Sequence, residues 1–133
     1  MIDPLDTLRS TPAPAAAVLD PQALERLREL DPGGQSKLLA RVVDAFSTSV
    51  SRLLPQINKA LDAGDLSAIH HVAHTLKSSS ASIGATHLSR LCAEIEETAR
   101  AGRSDGLPDL IARFNSEVGA VQGALQRVLG EVT

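Results

Sequence analysis

From Asp20 onward, apolar residues recur at steps of three and four, the spacing that puts them on one side of a helix. Asp20-Pro21 reads as an N-cap residue followed by the proline favoured at the first helical position, so a short helix is expected over about 21–30. Asp31-Pro32-Gly33-Gly34 stops it, and Ser36 or its neighbours open a long helix. Its stripe runs through Leu39, Val42, Val43, Phe46, Val50, Leu53, Leu54, Ile57 and Leu61. Pro55 falls inside this stripe, which continues on both sides, so the proline is expected to kink the helix rather than end it. Gly64 closes the helix and Asp65 caps the next, whose inward positions are Leu66, Ile69, Ala73, Leu76, Ser80 and Ile83, up to Gly84. Thr86 is expected to cap a fourth helix with Leu88, Leu91, Cys92, Ile95, Thr98 and Ala99 inward and Arg90, Glu94, Glu96, Glu97 and Arg100 on its solvated side. A last helix, from about Leu107 to Leu129, carries Leu107, Leu110, Phe114, Val118, Val121, Leu125 and Val128.

No segment alternates with period two, so strands are not expected. Four long amphipathic helices with short connections predict an all-α fold: an antiparallel up-down-up-down four-helix bundle with a short extra N-terminal helix. Residues 1–18 hold Pro4, Pro12, Pro14 and an Ala run without a stripe, and read as a flexible leader or linker ahead of a domain at 19–133.

Composition narrows the function. With 13 Lys and Arg against 16 Asp and Glu, the chain has no positive field to draw it onto nucleic acid or an anionic membrane. Two Phe with no Trp or Tyr leave little on which to stack bases or sugars, and the core must be aliphatic. Cys92 is the single cysteine, which excludes an intrachain disulfide or multi-Cys metal site, and its core-facing position makes it a small buried hydrophobe. No run reaches the ~18 apolar residues of a membrane span, and the acidic N-terminus is unlike a secretory signal; a cytoplasmic protein without direct membrane contact is expected. Neither a GxxxxGK[ST] loop nor other evidence of an ATP pocket is present, so ATP-dependent kinase activity is not expected.

The informative stretch is the third helix, which gathers His70, His71 and His74, three of the four histidines. At ~100° per residue, His74 projects about 130–140° from the mean core direction and faces solvent. His70, Lys77, Ser78 and Ala81 share that surface, and the two small residues let another protein approach. A neutral imidazole there is a nitrogen nucleophile, and Lys77, one turn on, can set an ammonium beside charge developing on a phosphoryl group. Transient histidine phosphorylation suits this set. His70 and His74 would alternatively serve a non-catalytic helical interaction module or chelate a divalent metal.

The run His74-Thr75-Leu76-Lys77-Ser78-Ser79-Ser80-Ala81-Ser82-Ile83-Gly84-Ala85 resembles the signature of bacterial histidine phosphotransfer (HPt) domains, found free-standing or at the C-terminus of hybrid sensor histidine kinases. The resemblance spans about residues 20–130 and takes in Ala63-Gly64-Asp65 and the Leu-Cys-Ala-Glu-Ile-Glu helix. It implies that His74 accepts a phosphoryl group from one receiver-domain aspartate and passes it to another, with Lys77 as electrostatic partner and His70, His71, Ser78 and Ala81 in the docking surface. It further implies no cofactor in this chain and Mg²⁺ on the receiver. The expected partners are receiver domains of a hybrid sensor kinase and of a downstream regulator, met by a monomer through a weak, transient interface. Where the family usually has glycine after the lysine, this chain has Ser78, which implies slower or partner-selective transfer.

Overall fold

The computed structural model describes residues 18–34 and 37–132, with side chains described through residue 130. Among the described residues five helices follow in order: α1 Pro21–Glu29, α2 Leu38–Ala63, α3 Leu66–Ser82, α4 Thr86–Arg100 and α5 Leu107–Val132. Helix α3 packs against α2 and α4, α4 against α5, and α5 returns to α2, while α1 lies on α2. The result is the four-helix ring with its extra N-terminal helix, and the described residues contain no strand. Residues 1–17 and Ser36 lie outside the described residues; Val18, at the end of the expected leader, is buried with Leu19.

The local signals act as their chemistry dictates. Asp20 accepts a hydrogen bond from the Gln22 N–H at 3.0 Å and Asp65 from the Ala68 N–H at 3.1 Å, each satisfying a donor that the first helical turn leaves open. Gly64 closes α2 in the left-handed region, and the helix runs through Pro55. The long helix α2 opens at a neighbour of Ser36, as expected, and the start of α4 differs from expectation. Lys37 precedes α2 at φ 54, and the first N–H of that helix, from Leu38, is taken by the Asp31 carboxylate at 3.1 Å, seven residues upstream. The cap of α4 is Ala85, not Thr86, which is already helical; the Ala85 carbonyl accepts from the Ser89 N–H.

The core is aliphatic around two phenylalanines, Phe46 from α2 and Phe114 from α5. Each fully buried Leu, Ile, Val or Phe contributes roughly 1.5–3 kcal/mol of transfer free energy, which sets the scale on which the helices hold together. In α5 the buried positions are Leu107, Ile111, Phe114, Val118, Val121, Ala124, Leu125 and Val128; Ile111 takes the place expected of Leu110, which is half-buried. In α3, Val72 joins Ile69, Ala73, Leu76 and Ser80 inside, because a helix flanked by both α2 and α4 needs a wide apolar face.

The α3–α4 turn anchors α1. Gly84 sits at φ +82, its carbonyl accepts the Asp20 N–H at 2.7 Å, and a Cβ there would lie 2.9 Å from Ala23 Cβ and 3.0 Å from the Asp20 carbonyl oxygen. Only glycine satisfies both the left-handed backbone and this approach.

Candidate functional site

Helices α3 and α4 run side by side from the Gly84 turn, and the Ser89 hydroxyl of α4 donates to the Lys77 carbonyl of α3 at 3.0 Å, tying the two together one turn from His74. His74 stands outward with 61% of its side chain exposed. Ser78, Ala81 and His71 are exposed around it and Lys77 is half-buried.

The acidic face of α4 differs from expectation at one residue. Glu94 and Glu97 are solvated, but the Glu96 side chain is only 16% exposed and turns towards α3. There it collects three basic groups spaced along one face of α3. Lys77 Nζ lies 2.9 Å from Oε2, His74 Nδ1 lies 3.3 Å from Oε1, and His70 Nε2 stands 3.9 Å from the same Oε1. The Lys77 ammonium, in an ion pair at 2.9 Å, holds the Glu96 carboxyl below the usual carboxylate range against the opposing effect of burial, and the His74 hydrogen bond adds to it. An ionised carboxylate can only accept, so His74 donates from Nδ1–H and its Nε2 keeps the lone pair. The rings of His70 and His74 lie parallel, 4° apart in plane, with centroids 6.3 Å apart. The arrangement therefore presents an outward nitrogen nucleophile, a fixed tautomer and an adjacent ammonium.

Glu96 is the residue that sequence reasoning placed wrongly. Its one available signal is its register, four residues after Cys92 and three before Ala99, which sets it on the edge of the buried stripe. Behind it Cys92 is fully buried, and desolvation together with the Glu96 charge pushes its thiol up to about 12, so Cys92 is not a nucleophile at neutral pH. Among the described residues no group of three or more His, Cys, Asp or Glu side chains is placed to hold a metal ion. No helix among them is long and apolar enough to cross a membrane.

Residues 41–129 match the family model of the Hpt domain. The chain is 29% identical over 111 residues to histidine-containing phosphotransfer protein 2 of Arabidopsis thaliana, covering 81% of this chain and 70% of that protein. Its fold superposes on the crystal structure of histidine-containing phosphotransfer protein B (HptB) from Pseudomonas aeruginosa with a TM-score of 0.76, at 31% identity, covering 84% of this chain and 94% of the other. A histidine-containing phosphotransfer protein from maize, ZmHP2, gives a TM-score of 0.73 at 25% identity, covering 87% and 92% of the two chains. The fold and the histidine-bearing face thus define a phosphotransfer module. The chain belongs to the Hpt domain family, and its function is histidine phosphotransfer within a phosphorelay.

Proposed function

We propose that Nε2 of His74 is the phosphoacceptor, receiving the phosphoryl group from the aspartyl phosphate of one receiver domain and returning it to the aspartate of another. The observation that carries this reading is the Nδ1–H···Glu96 hydrogen bond, which leaves the outer nitrogen with its lone pair. In the forward step the N–P bond forms at Nε2 as the P–O bond to the donor aspartate breaks, and the electron pair stays on that carboxylate. The Nδ1 proton remains on the ring, facing Glu96. The imidazole thereby becomes cationic beside an ionised carboxylate, and onward transfer reverses the step. Lys77, on the next turn, swings from Glu96 to the phosphoryl oxygens as charge builds there.

His74 stands exposed on a helix face, so the receiver brings the groups that enclose the in-line displacement, and Mg²⁺ belongs on that side. The exposed residues Ser78, Ala81 and His71, with half-buried His70, form the docking surface, and Ser78 in place of glycine tunes which receivers fit. We assign the donor receiver to a hybrid sensor kinase and the acceptor to a downstream regulator, both in the cytoplasm. A monomer fits a surface on which Leu30 is the one exposed large apolar side chain among the described residues. The test is transfer from a panel of phosphorylated receiver domains. Wild type should take label that is lost in acid, and His74→Gln should take none; label on His74→Gln would contradict the assignment.

A further inference from the structure

Glu96 faces three donors but holds two of them. Lys77 and His74 are within hydrogen-bond reach, whereas His70 Nε2, at 3.9 Å from Oε1, falls short of it. His70 nevertheless sits at the right place to close: it lies one turn before His74 on the same face of α3, its ring is parallel to that of His74, and its side chain is 37% exposed and therefore not wedged.

The phosphotransfer reading, on which this inference rests, moves Lys77 off Glu96 and onto the phosphoryl oxygens. That departure removes the nearest donor from a carboxylate that is only 16% exposed, and a charged group partly withdrawn from water is costly to leave short of partners. Behind it the buried Cys92 thiol is uncharged and cannot replace the ammonium. On the solvent side the candidate is His70.

We infer that His70 is a positioning residue that takes over Glu96 when Lys77 leaves it for the phosphoryl group. Its Nε2–H advances by about 1 Å to donate to Oε1. Lys77 leaves Oε2 and His70 faces Oε1, but the carboxylate charge is shared by both oxygens and each has two lone-pair directions, so Oε1 accepts from His70 and His74 together, the His74 Nδ1–H contact survives, and the added donor offsets the charge that Lys77 leaves uncompensated. Glu96 thus stays ionised beside the ring through the transfer, and Lys77 is released at lower cost.

The experiment is a double-mutant cycle on the rate of phosphoryl transfer within the complex, measured at saturating concentration of one phosphorylated receiver so that the docking contact of His70 does not enter the rate, using His70→Ala and Lys77→Ala in the full chain. His70→Ala should slow transfer about fivefold in the wild-type background and have no further effect in the Lys77→Ala background, where no lysine leaves Glu96. His70→Gln, which keeps an N–H donor at that position, should restore most of the rate. Thermal melting of unphosphorylated His70→Ala should match wild type, because the resting structure makes no His70–Glu96 hydrogen bond. Equal slowing in both backgrounds, or no slowing in either, would overturn the inference while label on wild type left the phosphotransfer reading standing. A wild-type chain that takes no label from any receiver would overturn that reading and this inference with it.

Discussion

A single carboxylate organises the reactive face. Glu96 does for His74 what exposure alone cannot: it selects which ring nitrogen carries the proton, and it keeps Lys77 within one turn of the nucleophile. Its depressed titration links the site to stability. A carboxyl lowered by native partners stabilises the fold above its ordinary value of 4.5, and that stabilisation is lost as pH falls through the depressed value. Glu96→Gln should therefore melt below wild type at pH 7, with the gap closing as the pH is taken below about 4.5; a gap that is constant with pH would show that the charge does not contribute. Lys77→Ala should keep the fold, since the side chain lies outside the core, and slow transfer about tenfold. Unchanged transfer at matched receiver concentration would remove the electrostatic role given to Lys77. Buried Cys92 should resist alkylation by iodoacetamide in the native protein and react once the chain is unfolded in denaturant; rapid native labelling would contradict its burial.

At the scale of elements, the α3–α4 turn sets the site. The register of α4 against α3, and hence the meeting of Glu96 with His74, follows from a connection of only Ile83, Gly84 and Ala85. Gly84 also receives the start of α1, so Gly84→Ala combines a strained left-handed residue with a contact near 2.9 Å against Ala23 and should cost about 2–4 kcal/mol in denaturant unfolding. A loss below 1 kcal/mol would mean that the turn yields freely. This element also marks where sequence reading stopped. The outward direction of His74 was legible because helical periodicity within α3 fixes it, and the caps at Asp20 and Asp65 were legible because side-chain capping is local. Glu96 was not, because pairing across helices depends on inter-helix register, which no spacing within α4 encodes. The same limit explains Asp31, whose carboxylate reaches across the loop to the Leu38 N–H, and the reciprocal amide pair of Asn58 in α2 with Asn115 in α5, at 3.0 and 3.2 Å.

Over the whole molecule, the bundle is a scaffold that spends its core on rigidity and leaves the chemistry outside. The stripes predicted the ring of helices because each long helix buries one face, and the misses were single positions, among them two between large side chains: Ile111 for Leu110, and Val72 added to α3. Both are choices between adjacent residues at the edge of a stripe, which only the packing partner decides. Leu76, fully inside and two residues from His74, separates core from site; Leu76→Asp should unfold the bundle by burying an unpaired charge, and a native helical melting curve for it would contradict the assigned core face.

The account turns on one atom, Nε2 of His74. Phosphorylating ¹⁵N-histidine-labelled chain from a receiver domain and recording its nitrogen and ³¹P resonances tests this directly. The account predicts one acid-labile phosphoramidate on His74, bonded at Nε2, with the proton on Nδ1. A phosphoryl group on Nδ1, or on His70, His71 or His87 instead, would contradict it.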